Sequence, residues 1–563
     1  MAGKVIDVTN EMDMATELNE YFSSVFQSAE GDVSLPPVSR HENSGRFDYV
    51  SFDEDKVKKA IESLRNDTSP GPDGISARLL KNLKEELSAP ISVILNKTMI
   101  GGDPIPRNWK RSNVSAIFKK GNKACASNYR PISMESLLCK IGEKIVKNEL
   151  LNYLTENDLL YKSQHGFIPG RSTTTNLIEY LDVITSALDE GLTVCSIYTD
   201  FSKCFDRIPH RLIIHKLKSR YKVEGAVLRW IEDWLSQRVQ RVVLNGVASE
   251  WTDVKSGVIQ GSVLGPVLAI VMLDSIDDEL QQCQISKYAD DNKVFSIVRD
   301  DNDRRRVQAD LDRIYHWANR WGFDLNVDKC SVIQFGGGTP WNFHLGDQPL
   351  LNSKMERDLG VLITDDLRWD NQVRAAAAKA RGAAHLLSRA LVSRDARTWT
   401  NLYRTFVRPH LEYAASAWIP HQAQHLTALG SVQRWFTRQV PGIGKLNFEE
   451  REKVCGLDSI AARTRRGVAI ETFKLTRNNS AQGQEILTFP THDHSTRGKE
   501  AGNFSHIKPK KDVRKYSFGA VAPVIWDKVG IEARSAETVN SFKNCYDRQF
   551  ASTKNDELRN ALF

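Results

Sequence analysis

Ile285–Val298 alternates apolar and polar residues around a central Asp290-Asp291, and that two-residue period predicts a β-hairpin with two carboxylates at its tip. A second β-rich run, Leu192–Asp200 (LTVCSIYTD), is bounded by Gly191 and ends on a third carboxylate. If the two strands are adjacent, three anions share one small volume, and uncompensated they repel strongly. The arrangement makes sense mainly with cations present. Mg²⁺ takes oxygen ligands, usually one or two protein carboxylates with substrate phosphates completing the shell. Two such ions can stabilise both the attacking and the leaving oxygen of an in-line phosphoryl displacement. Taken alone, Tyr288-Ala289-Asp290-Asp291 reads equally well as an ordinary turn, where aspartate is common. Its neighbours decide the matter.

Those neighbours alternate between helix and strand. Asp53–Asn66, Leu137–Leu154 and Thr174–Glu190 carry apolar residues at helical spacing, separated by basic, loop-like stretches at Lys119–Pro131 and Gln164–Thr173. Val239–Val254 predicts a hairpin turning at Asn245-Gly246. Ser262–Gln281 predicts a buried helix, Arg304–Trp321 an amphipathic one, and Cys330–Phe335 a strand. From Asp370 the pattern is helical, with a linker-like stretch at 480–520 and short helices after it. The result is a mixed α+β core followed by a helical half.

Composition narrows the class. The chain has 563 residues and a formal net charge of +7, enough length for several cores. The longest charge-free apolar stretch, Val263–Leu273, is too short to span a bilayer, and the N-terminus lacks the apolar core of a signal peptide. The expectation is therefore a nuclear or cytoplasmic protein, neither secreted nor in a membrane. Eight scattered cysteines without a C-x-x-C pair describe neither a disulfide scaffold nor a zinc finger. The charge is unevenly placed: residues 1–50 hold 3 basic and 9 acidic side chains, and residues 101–150 hold 10 and 4. Residues 391–480 hold 14 and 7, and a basic run follows at Thr496–Lys515. Concentrations of this kind mark either a polyanion surface or a solvated face.

Eight segments stand in an order that narrows the reading further. They are SPGPDGI (69–75), NYRPIS (128–133), QHGFIPGRSTTTNL (164–177), YTDFSKCFDRIPH (198–210), GVIQGSVLGPVL (257–268), YADD (288–291), NVDKC (326–330) and RDLGVLITDDLRW (357–369). In these the chain resembles the reverse transcriptases of non-LTR (LINE-type) retrotransposons, over most of residues 12–480 and more loosely to the end. The resemblance implies a right-hand polymerase fold with fingers, palm and thumb, an antiparallel palm sheet and a helical C-terminal half. Position by position, it makes Asp200, Asp290 and Asp291 the catalytic, metal-binding aspartates, with the Phe201 carbonyl as a further ligand. It implies two Mg²⁺ ions, with Mn²⁺ as an alternative. Phe205 falls where the family keeps an aromatic gate against the 2′-hydroxyl, although an ordinary core phenylalanine fits the same pattern. Gln260 and Gly261 match the loop against the incoming nucleotide. Arg130 with Lys119 or Lys120 matches the grip on the triphosphate. Lys329 matches a lysine that protonates pyrophosphate, and an exposed strand-end lysine is the plain alternative. Asp206 is expected to be structural.

The same resemblance divides the chain into an acidic N-terminal linker (1–50), fingers (51–190), a palm (191–355) with a finger insertion near 210–255, a primer grip and thumb (356–480), and a basic C-terminal region (481–563). The expected partners are an RNA template, a DNA primer or nicked target DNA, and dNTPs. No nuclease domain is visible in the first 50 residues, so a nicking endonuclease is expected from another chain. The competing expectation is a non-catalytic RNA- or DNA-binding remnant. Lys508–Lys515 is read as an extension of the nucleic-acid surface or as a nuclear targeting run.

Overall fold

The period-two segments of the sequence become two five-stranded sheets in the computed structural model, which describes residues 10–27, 35–38, 45–477, 486–487 and 504–552. In the first sheet, Arg111–Phe118 (β1) and Tyr129–Glu135 (β2) pair antiparallel, from Ser112 opposite Glu135 to Phe118 opposite Tyr129. Val194–Thr199 (β3) belongs to the second sheet. The chain then returns to the first, where Arg238–Leu244 (β4) lies parallel to β1 with Val239 opposite Arg111. Val247–Ala248 (β5) and Thr252–Val254 (β6) fold back onto β4. The β4–β5 turn is Asn245-Gly246, with φ of 47° and 91°, as the hairpin signal requires.

The second sheet gathers Gln284–Tyr288 (β7), Asp291–Ile297 (β8), Ser331–Phe335 (β9) and Leu351–Ser353 (β12) around β3, in the order β12-β9-β3-β8-β7. A short hairpin of His344–Leu345 (β10) and Gln348–Pro349 (β11) lies between β9 and β12 in the chain. β3 is antiparallel to both neighbours, with Val194 opposite Ile297 on one side and Phe335 on the other. Its side chains point alternately into two cores. Cys195 and Ile197 join a cluster with Leu268, Val294, Trp317 and Val332, while Val194 joins Tyr180, Phe295, Ile333 and Phe335. A strand packed on both faces is the least mobile place in a domain from which to present a carboxylate. Asp200 follows its last residue.

Three local outcomes differ from the sequence reading. Residues 11–23 are not linker: Glu11–Ser23 is a helix that seats Ala15, Leu18 and Phe22 on Val114, Ala126 and Val242 of the first sheet. Asn10 caps it, and Glu11 and Asp13 in its first turn suit the helix dipole, so the acidity of this segment serves a helix start. Ser262–Gln281 is shorter than expected, with a helix at Gly265–Asp274 and a 3₁₀ turn at Ser275–Glu279. The basic C-terminal run is partly tied to the fold, although Lys508, Lys510, Lys511 and Lys515 are exposed. The Lys510 and Lys511 amides donate to Asp189, Lys510 Nζ pairs with Glu190 at 2.6 Å, and Arg514 donates to Asp182 and Thr185 of the Thr173–Asp189 helix. Arg497 and Lys499 lie outside the described residues.

Met355–Asp358 (β13) and Val361–Thr364 (β14) form the hairpin that precedes the helical half. It is fastened to the second sheet by Lys293 Nζ and Asp358 Oδ2, 2.5 Å apart and both buried, with Tyr198 Oη also reaching Asp358 at 3.4 Å. Among the described residues no helix is long and apolar enough to cross a membrane. Because a buried charge left without its partner is costly, Asp358→Ala should destabilise the protein by about 3 kcal/mol. Replacing both partners together, with Lys293→Met and Asp358→Leu, should recover most of that loss. Denaturant unfolding of the two variants measures it.

Candidate active site

Asp200 is held from both sides of its backbone. Its amide approaches Cys330 Sγ at 3.4 Å, its carbonyl accepts from Asn326 N at 2.8 Å, and Ser202 N donates to Asp324 O. Phe201 stands opposite Leu325 between those two bonds, so its own carbonyl turns away from that segment, toward the β8 side of the sheet. Its ring packs on Trp317 and Phe323.

On that side Tyr288 pairs with Asp291 across a two-residue turn, Ala289-Asp290. Ala289 takes a left-handed φ of 59°, a conformation that costs an alanine on the order of 1 kcal/mol and needs outside support. The support comes from the QHG segment. Gln164 Oε1 accepts from Ala289 N at 2.8 Å and Gln164 Nε2 donates to Ala289 O at 3.3 Å, bracketing one residue with one side chain. Gly166 lies so close to the Ala289 nitrogen that any side chain there would collide with it. His165 N and Asn176 Nδ2 both donate to Lys287 O, and Arg171 closes the segment through Lys162 O and Gln164 O.

Of these residues Gln164, His165, Gly166 and Arg171 fall in the stretch expected to be a basic loop, and Asn176 in the helix after it. Their sequence signal is the segment QHGFIPGRSTTTNL, one of the eight that carry the resemblance, which assigned them no role.

The carboxylates are crowded. Burial, then Asp290, Asp200 and Asp358, push the Asp291 carboxyl up to about 6, and burial with Asp200 raises Asp290. Opposing cations face them. Lys119 and Arg130 act on both Asp290 and Asp206, and Lys119 also feels Asp200 and Lys329. Burial and the neighbouring Arg130 and Lys329 lower the Lys119 ammonium. Lys329 Nζ donates to Asp200 Oδ2 at 2.9 Å. Lys120, next in the chain and exposed, has no such tie among the described interactions.

Asp206 organises a second layer. It accepts from Gln260 Nε2 at 2.7 Å, while Gln260 O accepts from Ser133 N at 2.7 Å. Gly261, with φ of 117°, rests on Ser133, where a side chain would meet the carbonyl oxygen at 2.5 Å. The Gln260–Gly261 loop is thus pinned between Asp206 and the strand that carries Arg130. Phe205 is half-buried and receives Val258 N on its carbonyl at 2.7 Å.

The donor set of Asp200, Asp290 and Asp291 is all oxygen, and the burial and neighbouring carboxylates that raise Asp290 and Asp291 are costs that a hard divalent cation would relieve. Among the described residues, the three donors that close within 4.8 Å of one another are instead Glu135, Cys139 and Glu143. In that buried set Arg238 pairs with Glu135 and Glu143 accepts from Val263 N and Leu264 N, while burial and the neighbouring Glu143 push the Glu135 carboxyl up to about 8.

With this geometry in place, residues 117–363 match the family model described as reverse transcriptase (RNA-dependent DNA polymerase). Over that interval the chain is similar to reverse transcriptase domains, and relatives from mobile elements match over a longer stretch. Every site position singled out above, from Lys119 to Lys329, lies inside the matched interval. Among curated relatives, the RNA-directed DNA polymerase from mobile element jockey of Drosophila melanogaster is 24% identical over 448 residues, 76% of this chain and 46% of the relative. The probable RNA-directed DNA polymerase from transposon X-element of the same fly is 25% identical over 402 residues, 69% and 44%. That from transposon BS is 28% identical over 286 residues, 49% and 31%. The chain spans about half the length, or less, of these relatives.

A site built this way should show its carboxylate crowding directly. The folded-state pKa of Asp291 lies above its ordinary value of 3.8, so the folded protein holds that proton more tightly. The stability it contributes is present below pH 4 and lost as pH rises through about 6. Asp291→Asn should therefore stabilise the metal-free protein at pH 7.5 by about 1 kcal/mol, after discounting for the carboxylate's exposure. Calorimetry in EDTA reads this. Gly166→Ala should act in the opposite sense, costing about 2 kcal/mol or more through its collision with the turn.

Proposed function

We propose that this chain is an RNA-directed DNA polymerase that extends a primer 3′-hydroxyl along an RNA template, using dNTPs and divalent metal. The observation that carries this reading is the convergence of Lys119, Arg130 and Lys329 on Asp200, Asp206 and Asp290, a cationic set facing a carboxylate set within one site. That pairing suits a triphosphate approaching metal-binding aspartates. In this reading the first sheet and its helices are the fingers (51–190, with the return at 210–255). The second sheet is the palm within 191–355. The β13–β14 hairpin and the helices to 480 are primer grip and thumb.

Asp200, Asp290, Asp291 and the Phe201 carbonyl would hold two Mg²⁺ ions, or Mn²⁺ in their place. Bound there, the ions would supply charge stabilisation to the attacking and leaving oxygens. The chain's own groups do the rest. Lys119 and Arg130 bind the triphosphate from the opposite side, with Lys120 at the exposed turn beside them. Lys329 holds a proton at Nζ for the departing pyrophosphate, and its pairing with Asp200 keeps it at the site. Gln260 and Gly261 present backbone to the nucleotide and template base, held by Asp206 and Ser133. Phe205 closes the space beneath the sugar C2′, which excludes a ribonucleotide.

Extension of a DNA primer on an RNA template with Mg²⁺ and dNTPs should be robust for the wild type. Asp290→Asn with Asp291→Asn should fall to background, a loss on the order of 10³-fold or more. Phe205→Ala should raise NTP incorporation relative to dNTP. Wild-type activity equal to the double variant sinks the proposal, and salt-dependent RNA binding without synthesis would then favour a binding remnant.

A further inference from the structure

The N-terminal helix Glu11–Ser23 lies outside the matched interval, yet it touches the loop that leads from Asp200 to Asp206. One side of the helix is tied to the first sheet. Asn19 Nδ2 donates to Glu250 O and to Thr252 Oγ1, both at 3.0 Å. Its far end reaches the second sheet. The Tyr21 hydroxyl accepts from Lys203 Nζ at 2.7 Å, and the same ammonium stands 4.2 Å from the centre of the Tyr21 ring. Lys203 has a left-handed φ of 50° and opens the short Cys204–Arg207 turn, so an anchor on its side chain acts on a strained backbone position.

Four residues after the helix, Gln27 N donates to Ser256 Oγ at 2.9 Å, and Ser256 Oγ donates onward to Asp206 O at 2.8 Å. Gln27 Nε2 reaches Gly322 O at 3.1 Å. Ser256 is buried. Gly257 beside it runs so close to Phe205 and Asp206 that a side chain would meet their carbonyl oxygens at 2.6 Å. Segments 21–27, 203–206 and 256–260 therefore form one hydrogen-bonded knot. Its members include the residue beneath the sugar, Phe205, and the residue that holds Gln260, Asp206.

We propose that the N-terminal segment 21–27 is part of the nucleotide-selecting apparatus, with Tyr21 and Ser256 as positioning residues that fix the Lys203–Asp206 loop. The proposal rests on the polymerase reading of the site and deepens it. The helix spans the two sheets, so it also couples the strand bearing Arg130 to the loop bearing Phe205. Neither residue meets substrate; each acts through the loop.

Tyr21→Phe and Ser256→Ala each remove a single hydroxyl and keep the packing. In single-nucleotide extension, each should raise KM for dNTP by about threefold to tenfold, the effect of the one hydrogen bond lost with Tyr21 or the two lost with Ser256. kcat should stay within about twofold, and primer–template Kd should be unchanged. The dNTP-to-NTP preference should fall in parallel, which a general loss of stability would not produce. Hydrogen exchange gives a readout independent of turnover: amides of residues 203–208 should exchange faster in both variants while β3 stays protected. Unchanged KM, preference and exchange in both variants overturn the proposal. So does a change confined to primer–template Kd, which would make the helix a nucleic-acid contact. If the wild type extends no primer, the polymerase reading fails, and the exchange experiment still decides whether segment 21–27 fixes the loop.

Discussion

Crowded negative charge is the constraint from which most of this structure follows. Asp200, Asp290 and Asp291 come from two neighbouring strands, and Asp358 adds a fourth carboxylate within electrostatic reach. Each strand pays for that crowding with an anchor. β3 is buried on both faces, β8 carries Lys293 to neutralise Asp358, and the Ala289 turn is bracketed by Gln164. Around the carboxylates stands a partial ring of cations, Lys119, Arg130 and Lys329. The site balances its charge within the protein to a degree, and the residual repulsion is what a divalent ion would relieve.

The positive charge of the second half has a different fate from the one its sequence suggests. Arg463 makes a two-pronged pair with Glu412, Arg466 does the same with Asp547, and Arg514 sits on Asp182. These residues hold helices to one another, so net charge by segment overstates the charge presented to solvent. Phosphate contacts, and the salt dependence they bring, depend on the unpaired remainder.

The strands and the turn that carry the carboxylates were legible because they are local. A period of two, a carboxylate at a strand end and a two-residue turn are properties of short windows; that β3 and β8 lie side by side comes from the sheet order. The family resemblance supplied the rest of the site, and the structure brings Lys119, Arg130 and Lys329 to it while Lys120 stays outside the contacts. What was not legible is non-local. That Gln164 brackets a turn 125 positions later, or that Tyr21 meets Lys203, follows from sheet order and not from any window. The N-terminal helix was missed for another reason. Its acidic residues dominate the composition, while Ala15, Leu18 and Phe22, the residues that bury it, are only three in thirteen.

The parallel pairing of β1 with β4 has a consequence for how the molecule is made. Arg111 finds its partner only when Val239 exists, and the N-terminal helix seats partly on Val242 and Thr252. During synthesis, then, nearly half of the chain must leave the ribosome before the surface under the N-terminal helix, begun by Val114 and Ala126, is complete. Long loops close slowly because their entropy is lost before any contact rewards it. The β1–β2 hairpin and the solitary amphipathic helix would wait with apolar faces uncovered, a period in which a nascent chain is most in need of chaperone cover.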